Sequence, residues 1–330
     1  MAMRGVPEVL LVAPDSFKGT FSASEVAAAV AQGLRTGGHP VDVCPIADGG
    51  EGTLEVLIRA LGGEPVTASV HDPLERPLEA RFGLVAPNVA IVEAAAASGL
   101  ALLAAAEFDP FGASTFGTGE LILAAARTGV RTIYVGAGGT ATTDGGSGAI
   151  RAIREGGGLS PAKLVVMCDV RTRFEDAARV YGPQKGADPA TVRRLARRLR
   201  TVAGSLERDP RGVPMTGAAG GLAGGLWAEF GAELVPGAAF VLDAISFDRR
   251  MRESRAVITG EGKLDQQSLA GKAVSEVATR ARQAGVPCHA IVGRRELDSF
   301  GARILDLQAV VEAPTLDEIE RSAIELAELV

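Results

Sequence analysis

Along this chain, short apolar runs are followed by polar, glycine-bearing loops and then by helical repeats. The run EVLLVAP, beginning at Glu8, is rich in leucine and valine and ends in a turn, the signature of a buried strand. After the loop DSFKGT, Ser22 and Glu25 stand at the spacing of a capping box, and Val26, Val30 and Leu34 mark one helix face. VDVCPI at 41–46 reads as a second strand and ADGGEGT as its loop, and Leu54, Leu57, Ile58 and Leu61 recur at helical spacing. Two strand–loop–helix units with no hairpin turn between the strands predict a parallel α/β sheet.

The pattern changes near residue 65. EPVTASV and EARFGLV are joined by the polar, proline-containing HDPLERP, and NVAIVEAA follows, which reads as an antiparallel excursion. RTIYVG at 131–136 and KLVVMCD at 163–169 are further strands, and 201–215, with Pro210 and Pro214, is a surface loop by composition. Beyond about 245 the parallel signals return in RAVITG at 255–260, CHAIVG at 288–293 and QAVVEA at 308–313. Val274, Val277, Ala278 and Ala281 lie on the helix between the first two of these, and Thr315 with Glu318 caps a last helix carrying Ile319, Ala323 and Leu326 inward. Five runs from the two ends are therefore expected to form one sheet. The expected organisation is α/β with two domains, 1–65 plus 245–330 and an inserted 66–244, with the active site in the cleft between them.

Composition narrows the function classes. A formal net charge of -6 over 330 residues favours solubility and disfavours nucleic acid or an anionic membrane as a partner. The one basic run, Arg193, Arg194, Arg197, Arg198 and Arg200, falls mostly on one side of a helix whose Leu195 and Leu199 face the core. A solvated helix face is the preferred reading over phosphate or nucleic-acid contact. Cys44, Cys168 and Cys288 are far apart and share no metal-ligand spacing with His39, His71 or His289, so buried reduced thiols and a cytoplasmic location are expected. No leader-like stretch opens the sequence and no run of 18 apolar residues suggests a membrane span.

Glycine occupies 42 positions, about twice its usual share of roughly 7%, and much of the excess follows apolar runs. Five such loops carry the candidate chemistry: DSFKGT from Asp15, DGGEGT from Asp48, GGTATTDGG from Gly138, GPQKG from Gly182 and GEGKLD from Gly260. Residues at the C-terminal ends of strands are the default ligand contacts of an open α/β sheet. Each loop also has a structural alternative. Asp15 either caps a turn or, with Lys18, meets a phosphate and its metal; Asp48 and Glu51 are either solvated acids on a sharp turn or groups that orient Mg²⁺ or accept a hydroxyl proton. The GGTATTDGG loop is either a tight structural turn or an anion cradle, Asp169 a cap or a ligand contact, and Glu261 with Asp265 around Lys263 a surface ion network or part of the site. No GxxxxGK[ST], GxGxxG or GxSxG motif accompanies these loops. An acid-rich, lysine-bearing, glycine-lined site suits electrostatic phosphoryl transfer better than covalent or redox chemistry.

Taken in order, the loops resemble the bacterial glycerate kinase family, the type I glycerate 2-kinases of glycerate and glucarate degradation, over almost the whole chain. The resemblance rests on APDSFKGTFSA at 13–23, PIADGGEGT at 45–53, EAAAASGL at 93–100, GTGELI at 117–122 and GAGGTATTDGG at 136–146. It continues through YGPQKGA at 181–187, GAAGGLAGGL at 217–226 and ITGEGKLDQQSLAGK at 258–272. It implies ATP-dependent phosphorylation of D-glycerate with Mg²⁺, in the cytoplasm, most often at the 2-hydroxyl. A product phosphorylated at the 3-position, or another small hydroxy acid, is the alternative; a non-catalytic small-acid or nucleotide sensor is the alternative of another class. It also implies a flavodoxin-like parallel-sheet domain built from both chain ends, with an inserted α/β domain of restriction-enzyme-like topology, acting as monomer or homodimer.

Two departures are local. Thr140 and Thr143 stand where the family loop has Ser and Asn, and Ala273-Val274-Ser275-Glu276-Val277 replaces a Thr/Ala-Pro-x-Gly-Val segment after Gly271-Lys272, so that Glu276 is expected to narrow or recharge that side of the site. On this reading Asp48, Asp15 and Lys18 are the catalytic candidates. Ser16, Glu51, Gly139, Thr140, Thr143, Asp144, Lys185 and Lys272 contact substrate or phosphate, and Asp169, Glu261 and Asp265 serve the metal.

Overall fold

The computed structural model describes residues 8–85, 87–266, 268–270 and 272–330. The opening residues read above as lacking a leader, and Gly271, lie outside them. The chain divides into two compact units, Met1–Asp48 with Val241–Val330, and Gly49–Phe240. Each has its own sheet, so the protein is α/β with two sheet-containing domains.

In the first unit, the five runs from the two chain ends do form one sheet. Its order is Val41–Val43, Leu10–Pro14, Ala256–Gly260, Cys288–Val292, Val310–Glu312, and every pairing is parallel. Numbered as the strands occur in the unit, that is the order 2-1-3-4-5. Leu10, Leu11, Val12 and Ala13 are all fully buried, which explains why the run is continuous rather than alternating: both faces of a parallel sheet are covered. The helices Ala23–Thr36 and Leu316–Ala327 begin at the two capping boxes read from the sequence, Ser22 with Glu25 and Thr315 with Glu318. They pack against each other and seal Leu10, Val12, Ile258 and Ile291 under Val26, Val30, Leu34, Ile319 and Leu326.

The second unit holds six strands in chain order, Glu64–His71, Pro77–Val85, Val89–Glu93, Thr132–Gly136, Lys163–Cys168 and Glu233–Pro236. The first two pairings are antiparallel, as the excursion around HDPLERP suggested, and the remaining three are parallel. The contacts draw the first crossing between units at Asp48–Gly49, so the sequence boundary at 65 falls inside the second unit. The reason is the helix Thr53–Leu61. It lies on the strands Pro77–Val85 and Val89–Glu93, with Leu54 and Ile58 filling the space that Gly83 leaves.

The basic run lies on the helix Pro189–Ala203, where Leu195 and Leu199 are buried with Phe174. Arg194 and Arg198 lie over the Phe111 ring at 4.2 and 5.4 Å, and Arg198 also donates to the Phe111 carbonyl. All three cysteines are free and buried, and burial pushes their thiols up, Cys44 to about 11 and Cys288 to about 12. Among the described residues no helix is long and apolar enough to cross a membrane.

The two capped helices come close at Gly33, where a Cβ would stand 2.3 Å from the Glu320 carbonyl oxygen and 2.7 Å from the Ala323 Cβ. Gly33→Ala is therefore expected to lose about 1–3 kcal/mol to overpacking, in spite of alanine's better helix propensity. Urea unfolding measures it; an unchanged midpoint would show that the helix pair can separate freely.

Candidate active site

Parallel strands end on the same edge of a sheet, and in the 2-1-3-4-5 order the crevice opens between the first and third strands. Those are Leu10–Pro14 and Ala256–Gly260, paired from Leu10↔Ala256 to Pro14↔Gly260. Asp15 and Glu261 follow directly, and the Asp15 N–H donates to the Gly260 carbonyl at 2.8 Å. The next loop is tied at its base by reciprocal bonds between Phe17 and Phe21, and Gly19 at its tip takes φ +79°. Lys18 on this loop reaches Asp48 Oδ2 at 2.8 Å. Gly262 lets the neighbouring loop pass, since a Cβ there would stand 3.0 Å from the Phe17 Cα. The result is a cavity of about 450 Å³ lined by Asp15, Ser16, Lys18, Asp48, Glu261, Lys263, Asp265, Lys272 and Arg294.

Its electrostatics are those of acids held out of water. Asp15 and Asp48 are only 4% and 1% exposed. Burial pushes the Asp15 carboxyl up to about 8, with the Asp48 charge adding to the rise and Lys18 opposing it. Burial likewise lifts Glu261 to about 7, against a hydrogen bond from Ser268 and the pull of Lys272. Glu261 Oε1 and Ser16 Oγ are buried without a hydrogen-bond partner, so this cavity holds donor and acceptor capacity that a ligand would satisfy. Lys263 pairs with Glu296 at 2.8 Å and Asp265 at 3.5 Å, the surface ion network weighed above. Glu276 lines neither this cavity nor the one described next. It pairs with Arg280 at 2.9 Å, which corrects the expectation that it reshapes the site.

The second unit has a cavity of about 730 Å³ at the ends of Val89–Glu93, Thr132–Gly136 and Lys163–Cys168. Its lining includes the acids Glu51, Glu93 and Asp169, the apolar Leu100, Leu102, Leu103 and Phe108, and Gly138, Gly139, Thr140 and Lys185. Lys185 is 4% exposed and donates to the Thr142 carbonyl at 2.5 Å and to Thr140 Oγ1 at 3.4 Å. Burial lowers its ammonium to about 8, with Asp144 and Asp169 pulling the other way. Glu93 Oε1 accepts the Leu54 N–H at 2.7 Å, at the start of the helix Thr53–Leu61, and burial lifts its carboxyl to about 7.

The structure thus gathers Asp15, Ser16, Lys18, Asp48, Glu261, Asp265 and Lys272 in one cavity and Glu51, Gly139, Thr140, Asp169 and Lys185 in the other. The metal candidates are split, Asp169 in the second unit and Glu261 with Asp265 in the first. Thr143 and Asp144 line neither cavity. Asp144 is fully buried and accepts from the Thr115 N–H and hydroxyl and from the N–H groups of Gly146 and Gly148, so it clamps the start of the helix Ser147–Glu155. The Thr143 hydroxyl is buried without a partner. Sequence reasoning missed Glu93, although an acid directly after the strand-like NVAIV was the available signal.

Among the described residues no three His, Cys, Asp or Glu side chains stand together as a ready-made metal cage. Mg²⁺ does not need one, because it usually takes one or two carboxylates plus substrate phosphates. Asp169 in the larger cavity, and Glu261 with its unpartnered oxygen in the smaller, fit that demand.

A raised carboxyl value in the folded state means that the folded chain holds a proton the unfolded chain has released. For Asp15 that window runs from the ordinary 3.8 up to about 8, and its contribution to stability falls as pH rises through it. Asp15→Asn is expected to flatten the decline of Tm between about pH 5 and pH 8. Superimposable Tm–pH curves for the two proteins would mean that Asp15 is ionised throughout.

The chain matches the glycerate kinase family over residues 10–155 and 157–328. It is 36% identical to the glycerate 2-kinase of Escherichia coli K12 over 357 residues, covering 95% of this chain and 93% of that one. It is 39% identical to the glycerate kinase of Halalkalibacterium halodurans over 322 residues, covering 86% and 85%. A solved structure from Salmonella typhimurium LT2 carrying the name glycerate kinase 2 superimposes with a TM-score of 0.80 at 33% identity, over 98% of both chains.

Proposed function

The chain belongs to the glycerate kinase family, and from that premise we propose that it transfers the γ-phosphoryl group of ATP to D-glycerate, at the 2-hydroxyl, giving 2-phospho-D-glycerate and ADP. The observation that carries this reading is the smaller cavity, where Asp15, Asp48 and Lys18 converge at the sheet crevice. A small hydroxy acid offers what these groups want, a carboxylate for a lysine and a hydroxyl for a carboxylate.

Lys18, or Lys272 beside Glu261, holds the glycerate carboxylate. Asp48, one of whose oxygens is fixed by Lys18, orients the attacking hydroxyl. Asp15, whose carboxyl burial pushes up to about 8, takes the hydroxyl proton once it is ionised. Lys185, with Gly139 and Thr140 of the glycine loop, is placed to stabilise phosphate charge. Glu51 or Asp169 in the second unit, or Glu261 with Asp265 in the first, would hold Mg²⁺, which when bound neutralises phosphate charge. Ser16 donates its unpartnered hydroxyl to substrate. The 2-1-3-4-5 order supports a flavodoxin-like assignment for the first unit, and we assign the inserted unit a restriction-enzyme-like topology. Three buried free cysteines support a cytoplasmic location.

A phosphorus NMR time course with D-glycerate, ATP and Mg²⁺ is expected to show 2-phosphoglycerate growing as ATP falls. A 3-phosphoglycerate signal would move the attacking hydroxyl, and ATP left intact would overturn the activity. Asp48→Ala is expected to lower kcat by roughly a hundredfold, on the scale of a misoriented reactant, with little change in Tm. Near-normal turnover would remove Asp48 from the chemistry.

A further inference from the structure

A third cavity, within the second unit, shares no lining residue with the two described above. It holds about 360 Å³ and is lined from the helix Ser147–Glu155, the end of the helix Pro189–Ala203 and the helix Leu222–Phe230. We propose that it binds a free α-amino acid with a short aliphatic side chain. The ligand carboxylate meets Arg154 and Arg151, its ammonium meets Glu229, and its side chain lies on Ile150, Val202 and Leu206.

The charges on the lining balance. Arg151 and Arg154 supply two positive groups, and Glu155 and Glu229 two negative ones. A phosphate would face the acids unfavourably and a diamine the arginines, whereas a zwitterion offers each sign its opposite. Glu229 gives the sharper indication. Its side chain is 5% exposed; Oε1 accepts from Arg154 Nη2, and Oε2 is buried without a partner. A buried carboxylate oxygen lacking a donor is costly, and an ammonium supplies one. Arg154 is 57% exposed, so its head can turn outward and uncover that oxygen. Among the described residues it donates only to Glu229, which leaves the other N–H groups of its fork for a carboxylate. Arg151 is tethered to Glu75 at 3.1 Å and lies over the Phe116 ring at 4.6 Å, so it adds positive field more than a second fork.

The rest of the lining suits the same ligand. Ser205 Oγ donates its proton to the Val202 carbonyl at 2.8 Å, so toward the cavity it can only accept, and an ammonium is a donor. The floor is apolar and firm: Ile150 is buried, and Val202 packs on the cluster of Phe174 and Leu199. A Cβ at Gly145 would stand 3.0 Å from Val202 Cγ1, so the glycine loop also abuts this side chain. At about 360 Å³ the cavity is near the lower end of the roughly 300–1,000 Å³ usual for ligand pockets, the size for a small metabolite.

Saturation-transfer NMR titrations on the full chain test the assignment with L-valine and two fragments of it. Isobutylamine lacks the carboxylate, and isovalerate lacks the ammonium. L-valine should bind, and each fragment should bind roughly tenfold more weakly or worse, the loss of one charge-assisted hydrogen bond. Glu229→Gln keeps the shape of the side chain; it should weaken L-valine by a similar factor and leave isovalerate no weaker. Ser205→Trp fills the cavity without removing the Arg154–Glu229 pair and should abolish L-valine binding. Circular dichroism melting confirms that each variant is folded. Isovalerate binding as tightly as L-valine would replace the zwitterion with a simple anion and overturn the proposal. No L-valine signal from the wild-type chain, or a signal unchanged in both variants, would overturn the site itself.

Discussion

Taking carboxylates out of water is expensive, and the first unit takes out three that share one cavity, Asp15, Asp48 and Glu261. Only rigid surroundings keep such a cluster from either opening to solvent or collapsing onto the lysines beside it. The rigidity comes from the sheet beneath: Pro14 and Gly260 are paired in register, so the acids that follow them leave the sheet side by side. Lys18 can then satisfy Asp48 while Asp15 is held by its own backbone surroundings, through the Ser16 N–H at 2.7 Å. A helix pair packed at Gly33 keeps the apolar face of that sheet dry.

The second unit meets a different constraint. Its loops approach one another at distances that exclude side chains. A Cβ at Gly138 would lie 2.7 Å from the Gly50 Cα, and one at Gly136 the same distance from the Gly49 carbonyl oxygen. The loops that carry Glu51 and Thr140 are therefore in backbone contact, and glycine at these places answers to packing. Thr140 keeps the hydroxyl expected at its position and faces Lys185, whereas Thr143 puts a hydroxyl where nothing receives it.

How much of this was legible in the sequence depended on how local the cause was. Capping boxes, buried strands and the inward leucines of the arginine-rich helix depend on spacing within a few residues, and they stand as read. Even the non-local sheet could be inferred, because five β-like runs at the two ends had no other partners. The boundary at 65 depended on where Leu54 and Ile58 point, which helical periodicity leaves open. Asp144 shows the limit from the other side: an Asp before two glycines reads equally as a ligand contact and as a clamp on the next helix, and only its four donors decide. Glu276 was given a place at the site by the motif around it, and Arg280, one helical turn on, claims it instead.

The interrupted first unit has a consequence in time. Strand Leu10–Pro14 emerges early, but its neighbour Ala256–Gly260 lies beyond the whole of the inserted unit. That insertion, by contrast, is one unbroken stretch whose strands pair with their sequence neighbours, so its sheet can close while the first still has an open edge. Until residue 260 joins residue 14, nothing confines Asp15 beside Glu261. A nascent chain thus carries its acids hydrated and uncrowded, and the strain of bringing them together falls on the last sheet to close, when most of the other packing is already in place.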